Sequence, residues 1–355
     1  MKNYSELEIE KIQDRFAIFA EQECKSSSAF YYDLSLKISK DEELSRMASY
    51  ACYGQPIPNI FFGAVHYLVL KDKNCQLASY YPSITKSLKN PALPFDVFKD
   101  FCIHNESQIV ELISSKIVQT NVINRCSYLT PILSELINKG QKNACVIDIG
   151  ASVGLNLNFD LYEYWTDGQK IFGDSSVKIE FETKDSAIKP ILPTNYFVRK
   201  IGIDQHLINP QNEDEKLWLN ALIWPDHLER FNSMEKALEL RQNGGIEMLQ
   251  ASTVPQFEEI INEQLNNETL IIYSTHTLYQ FSQENRQDFF NMLDSIGRKR
   301  DFYFLSVEST KYLQEKYDSS QTVIELTSYT NRQKNEQFIA ETNGHGNWIL
   351  WKNEF

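Results

Sequence analysis

A chain of 355 residues, 42% of them hydrophobic, is long enough for two domains or one large one and has the composition of a folded protein, which excludes disorder as its default state. Its formal charge is −13, with Lys and Arg scattered rather than clustered; that removes the footprint of phosphate-backbone binding and leaves a small-molecule substrate, not nucleic acid, as the expected partner. The opening "MKNYSELEIE" is acidic and lacks an apolar core, and the longest apolar run, Ile60 to Leu70, is interrupted by His66 and too short for a bilayer, so a cytoplasmic location without a membrane partner is expected.

Residues 1–140 read as an all-helical N-terminal domain. Ile9, Ile12, Phe16, Phe19 and Ala20 recur at helical spacing, and Ser39-Lys40-Asp41-Glu42 has the form of a capping box. Pro56 and Pro58 mark a turn before an apolar helix at Ile60, in which His66 is expected as a satisfied core residue. Phe95, Phe98, Phe101 and Cys102 begin a helix running toward Ile113. Leu129, Leu133 and Leu136 line one that starts near Asn121 and ends at Lys139-Gly140, with Gln119, Thr120 and Asn121 as caps in the plainer reading. The six cysteines lie in the first 145 residues with no C-x-x-C pair, so free core thiols are expected and no metal site.

Residues 141–355 change in texture. Strands alternate with helices, which predicts an α/β domain: a Rossmann-like, doubly wound, mostly parallel sheet. "ACVIDIG", "FVRKIGID", "IEMLQAS", "TLIIYST" and "FYFLSVES" are its strands, with helices over residues 213–224, 226–242, 254–265 and 282–298. "TVIELTSY", "EQFIAET" and "NWILW" are further extended segments, two of which are expected to close the sheet as a terminal antiparallel hairpin. Residues 166–195 read as an insertion, with Val177, Ile179 and Phe181 alternating as in a hairpin strand. Trp218 and Trp224 are assigned to packing at the domain junction.

"VIDIGASVGLN" is the most informative stretch. Gly150-Ala151-Ser152-Val153-Gly154 fits the G-x-S-x-G of a nucleophile elbow, and it also fits a glycine-rich turn where Ser152 is a spacer beside a nucleotide. Only helices precede its strand, which leaves no early strand-helix loop for an oxyanion hole, although Asp204, His276 and His345 supply a nominal triad. Asp148 before the turn and Asp204 at the end of the next strand favour the ligand-binding reading. The plainer account is that each acid caps the turn after its strand.

That motif, standing as "VIDIGASVG", resembles the first motif of the class I S-adenosylmethionine-dependent methyltransferases, with Ser152 in place of the middle glycine. Over nearly its full length the chain is similar to an uncharacterised bacterial family, domain of unknown function 2332, through "RFAIFAEQECKSSS", "AVHYLVL", "YYPS", "QTNVINRC", "DIGASVGLNLNFDLYEY", "IGIDQHLINP", "WLNALIWPDHLERF" and "HGNWILW". The resemblance implies a sheet of the class I methyltransferase type and an S-adenosylmethionine cofactor held by Asp148, Gly150, Ser152 and Gly154, with Asp204 on the ribose. It also implies an acid near the adenine at the third strand's end, where relatives tend to read Gly-Asp and this chain has Ala251-Ser252; Ser252 is the residue left to meet the base.

In such a sheet the ligand lies across the carboxyl ends of the strands. Thr275, His276 and Tyr279 after the fourth strand and Glu308 in the fifth are expected near the reacting group, Thr275 on the cofactor side, Tyr279 on the substrate side, and His276 and Glu308 as proton acceptors. Gln119, Asn121 and Arg125 are candidates for holding a polar or anionic substrate, with the helical domain as a lid, and Tyr162 and Tyr164, after a glycine-loop helix, for lining the same pocket. Methylation of a small molecule is the leading expectation. A non-catalytic nucleotide- or metabolite-binding protein of the same fold is the second, motivated by Ala251-Ser252, and a serine hydrolase using Ser152 the third.

Overall fold

The structure, a computed structural model, describes residues 6–89, 92–119, 121–185, 188–193, 196–242, 245–264, 267–309 and 321–353; Thr120, Leu265 and parts of the 166–195 stretch lie outside them. The chain divides into two units, Met1–Thr120 with Gln211–Glu235, and Asn121–Pro210 with Lys236–Phe355.

The first unit is helical: α1 (Glu6–Phe19), α2 (Ala29–Ile38), α3 (Glu42–Ala48), α4 (Ile57–Lys71), α5 (Pro82–Thr85), α6 (Phe95–His104) and α7 (Glu106–Ser115), with α9 (Glu213–Ala221) and the start of α10 (Leu228–Gln242). Its centre is α4, buried at every position from Ile57 to Leu70 except Asn59. A helix apolar on all sides must be surrounded, not laid on a surface. Tyr31 stacks on Phe62 at 4.2 Å, Phe16 and Trp224 close around them edge-on, and Phe19 lies tilted on Phe62 and edge-on to Trp224. Trp218 donates from Nε1 to the Ile117 carbonyl, so both tryptophans pack inside this unit. His66 is satisfied as expected, by the Ala221 carbonyl and Ser83 Oγ.

Three helix boundaries differ from the sequence reading. Asp41, not Ser39, caps α3: it has extended backbone and accepts from Leu44 N, whereas Ser39 closes α2 in helical conformation. The helix toward Ile113 breaks at Asn105, whose amide turns back to the Phe101 carbonyl, as asparagine side chains do when they compete with the helix ladder. Gln119 and Asn121 do not cap the next helix, because α8 (Cys126–Gly140) starts later, behind a 3₁₀ turn at Ile123–Arg125.

The second unit is built on one sheet of eleven strands: β1 (Ala144–Ile149), β2 (Glu163–Thr166), β3 (Gln169–Phe172), β4 (Lys178–Thr183), β5 (Val198–Asp204), β6 (Ile246–Gln250), β7 (Thr269–Thr275), β8 (Phe302–Ser309), β9 (Thr322–Thr330), β10 (Gln333–Thr342) and β11 (Trp348–Trp351), in the order β3-β2-β4-β11-β10-β9-β8-β7-β1-β5-β6. The five strands β6-β5-β1-β7-β8 are parallel. Each expected strand from "ACVIDIG" onward is present. The tail goes further than a closing pair: β9, β10 and β11 extend the sheet as an antiparallel meander from β8. The 166–195 stretch joins the same sheet. Its alternating strand β4 is not half of a hairpin but runs parallel to both β2 and β11, with Ile179 and Phe181 buried. Phe257 and Ile261 of α11 (Val254–Asn262) and Phe289, Met292, Leu293 and Ile296 of α12 (Gln283–Gly297) bury Ile147, Ile149, Ile272 and Phe304 on one face. Among the described residues no helix is long and apolar enough to cross a membrane.

The close of α12 on β9 depends on Gly297, where an added Cβ would lie 2.0 Å from the Tyr329 ring, itself stacked on Phe302 at 4.5 Å and hydrogen-bonded to Asp294. Overpacking of this kind costs about 1–3 kcal/mol. Gly297→Ala is therefore expected to lower the unfolding free energy by that amount, read as a lower urea midpoint with an unchanged slope; an unchanged midpoint would mean that the Tyr329 stack yields freely.

Candidate functional site

In order of appearance, the parallel strands stand third, second, first, fourth, fifth across the sheet, so its direction of growth reverses between β1 and β7. Open α/β sheets bind ligands at such a reversal, beyond the carboxyl ends of the strands. At those ends stand Asp148 and the glycine loop after β1, Asp204 at the end of β5, Ala251-Ser252 after β6, Thr275 and His276 at β7, and Glu308 in β8.

The loop is wired tightly. Gly150, Ser152 and Gly154 have φ of 83°, 52° and 80°, a left-handed series that only glycine adopts without strain, so Ser152 is held there by its surroundings. Gly150 N and Ala151 N donate to the Ile203 carbonyl at 2.8 and 3.1 Å, Ser152 N to Asp204 Oδ2 at 2.8 Å, and Gly154 N to the Ala151 carbonyl at 2.7 Å. Arg241, 8% exposed, donates from Nε to the Val153 carbonyl at 2.9 Å. Gly150 leaves room for Thr277, whose side chain an added Cβ would meet at 2.1 Å. Asn121 donates from its amide to Ser152 Oγ at 3.0 Å. The loop runs not into an α-helix but into a 3₁₀ segment, Leu155–Leu161, interrupted at Asn158, with β2 following directly. "LNLNFDL" alternates with period two and places two asparagines, poor helix formers, where a helix would need its first turns. Tyr162 and Tyr164 are fully buried and donate to the carbonyls of Leu155 and Phe159, so both brace this segment.

Behind the loop lies a buried polar cluster. Asp148 is 2% exposed and its Oδ1 has no hydrogen-bond partner. Burial raises its carboxyl to about 7; Tyr273, the register partner of Asp148 on β7, and Arg125 favour the ionised form, and Asp204 opposes it. Tyr273 does so without closing a hydrogen bond, since its hydroxyl is also unpartnered. Glu308 is 1% exposed. Its Oε1 accepts from Thr277 N and Leu278 N at 2.8 and 2.9 Å, while Oε2 is unpartnered. Burial again dominates over those N–H groups and raises the carboxyl to about 7. Arg125 donates to the carbonyls of Gly344 and Thr275. His276 has φ 52° and a buried Nε2 without a partner. Burial, then Arg125, then His345 push its imidazole down to about 3, so it is neutral at pH 7. Tyr128 adds one more buried hydroxyl without a partner, and Ser274 and Ser306, register partners, add two on the face of the sheet opposite Asp148. Buried polar groups are nearly always satisfied. A concentration of exceptions at a sheet's reversal point is the mark of a site whose remaining partners come from a ligand or from water.

The structure thus brings Asp148, Gly150, Ser152, Gly154, Asp204, Asn121, Arg125, Thr275, His276 and Glu308 to one end of the sheet. Asp204 is there as a loop holder, with Oδ1 accepting from His206 N at 3.0 Å besides the bond to Ser152. Ser252 is exposed, its N–H donating to Gln256 Oε1 in the capping box of α11. Tyr279 is 40% exposed, and Gln119 belongs to the first unit. Sequence reasoning missed Tyr128, Tyr273, Arg241 and Thr277. Tyr273-Ser274-Thr275, three polar groups at the end of an otherwise aliphatic strand, was the available signal.

The chain belongs to the family described as "Uncharacterized protein conserved in bacteria (DUF2332)", whose model matches residues 13–351. No curated protein matches it in sequence.

The two carboxyls make stability depend on pH in a defined direction. Each is raised above its unfolded value, so its contribution is complete below about pH 4 and is lost as pH rises to about 7. The amide variants copy the protonated form. Asp148→Asn is expected to match the wild type at pH 3.5 and exceed it at pH 8, by up to about 4 kcal/mol for a shift of about three units, with Glu308→Gln behaving alike. His66 and His276, whose values are lowered, lose stability in the opposite direction, on acidification. The test is therefore the difference between variant and wild type in urea unfolding at the two pH values; a difference that does not change with pH would mean ordinary carboxylates.

Proposed function

We propose that this family member is an S-adenosylmethionine-dependent methyltransferase acting on a small molecule. The observation that carries the reading is Asp148: a buried carboxyl with an unpartnered oxygen, directly before a glycine loop, at the reversal point of a parallel sheet whose strand order is that of the doubly wound nucleotide-binding folds. The residues fit the cofactor. Asp148 meets the amino group of its methionine end, where an ammonium supplies the charge partner that the buried carboxyl lacks. Asp204, at the carboxyl end of the next strand, serves the ribose hydroxyls, the place where doubly wound folds put an acid. Ser252 and the buried Ala251 are left for the base, with a weaker hydrogen bond than an acid would give.

Bound there, S-adenosylmethionine supplies an electrophilic methyl group. The chain's part is to align the acceptor and take its proton. Glu308 Oε2 suits that task, since a base works best when its pKa lies near the working pH; its Oε1 meanwhile fixes the Thr277-Leu278 turn. His276, at about 3, is too weak a base and acts as a neutral hydrogen-bonding group. Asn121 and Arg125 orient a polar acceptor. The hydrolase reading gains no support at Ser152, because the group on its Oγ is an amide, which cannot take a proton.

Calorimetric titration with S-adenosylmethionine and S-adenosylhomocysteine is expected to give micromolar binding, about −8 kcal/mol, weakened at least tenfold in Asp148→Ala, and incubation with an acceptor to release S-adenosylhomocysteine. Absence of binding to a folded protein would overturn the reading. Binding without turnover on any acceptor would favour the non-catalytic alternative that Ala251-Ser252 suggests.

A further inference from the structure

A cavity of about 670 Å³ lies in the sheet unit beside the amino ends of β5 and β6, opposite the carboxyl ends, and the reading above does not involve it. Its floor is β5 at Lys200, four residues before Asp204, and its walls include Phe159, Phe172, Tyr196, Phe197 and Leu192. Lys200 is 7% exposed. Its register neighbours on β1 and β6 are Val146 and Ile246, so nothing in the sheet asks for a charge there. Its Nζ pairs with Asp160 Oδ1 at 2.5 Å and stands 5.5 Å from the Phe159 ring centre. An ammonium has three donors, and a buried lysine is costly unless its charge is used. Asp160 offsets that charge; Arg199, the other cation of the lining, is engaged on Glu268 and Gln264, and Glu247, its other carboxylate, is exposed to solvent. The cavity therefore offers no net charge at its polar end but a donor and an acceptor side by side, with aromatic rings around them.

We propose that this cavity binds a planar aromatic molecule with an amide edge, a lactam whose carbonyl accepts from Lys200 and whose N–H donates to Asp160. The volume suits a molecule of two or three fused rings. A side-by-side acceptor and donor on a flat ring satisfies both members of the ion pair without adding a charge. An anionic head would crowd Asp160, and a hydrocarbon would leave Lys200 with nothing gained.

The test is fluorescence titration of the full chain with 2-quinolone, N-methyl-2-quinolone and naphthalene-2-carboxylate. The expected result is saturable one-to-one binding of 2-quinolone, at least tenfold weaker binding of the other two, and a loss of at least tenfold in Lys200→Met. Leu192→Trp, which narrows the cavity and leaves the ion pair alone, is expected to weaken binding at least tenfold with an unchanged circular dichroism spectrum. This variant keeps the test decisive if Lys200→Met does not fold. Equal affinity for the three probes, no saturable binding of 2-quinolone, or full binding in a folded Leu192→Trp would overturn the proposal. Because S-adenosylmethionine binding reads the other end of β5, failure of either proposal leaves the other measurable.

Discussion

Two carboxyl groups are buried without enough partners at the ends of β1 and β8, the strands on either side of β7, and the rest of the second unit is arranged around that imbalance. Asp148 and Glu308 are 2% and 1% exposed, and each has one oxygen with no hydrogen bond. Taking a carboxylate out of water is costly unless it is paired or protonated. Arg125, a cation acting on both, gives its hydrogen bonds to the carbonyls of Gly344 and Thr275. The protein therefore holds these groups near the midpoint of their titration, where a small change in surroundings changes their charge.

Carboxyls also organise the backbone. Glu308 fixes the turn after β7 through two N–H groups, and that turn carries Thr277, which fills the space left by Gly150. Asp204 fixes Ser152 in the left-handed region. The glycine loop is thus held from β5 on one side and from β7 on the other, and its shape exists before any ligand arrives. Preorganisation of this kind reduces the ordering a ligand must bring about, and strain at Ser152 and His276 is the usual companion of such sites.

Much of this was legible in the residues. The strands of the parallel sheet announce themselves as aliphatic runs between turn residues, and "VIDIGASVG" marks where the first of them ends. α4 is apolar on every side and could only be a core helix. What the sequence concealed depends on contacts between distant segments. "LNLNFDL" was read as the start of a helix because a helix normally follows such a loop; its period-two pattern and asparagines favour the short 3₁₀ segment that leads to β2. β4 carries a clean alternation, but nothing local says that its neighbours are β2 and β11. The sequence offers Asp204 both as a ligand's partner and as a turn cap, and its bond to Ser152 N shows the capping role. The buried hydroxyls on Tyr128, Tyr273, Ser274 and Ser306 sit among apolar residues and become informative only when their missing partners are seen.

The account rests on Asp148 and Glu308 titrating near neutrality, and carbon-13 NMR of protein labelled at the Asp and Glu carboxyls measures this directly, with Asp148→Asn and Glu308→Gln assigning the resonances. Two carboxyl signals with midpoints near pH 7, each missing from its own variant, are predicted. If every carboxyl in the wild type titrates below pH 5, the cluster is already satisfied in the free protein, and the argument that it awaits a ligand is wrong.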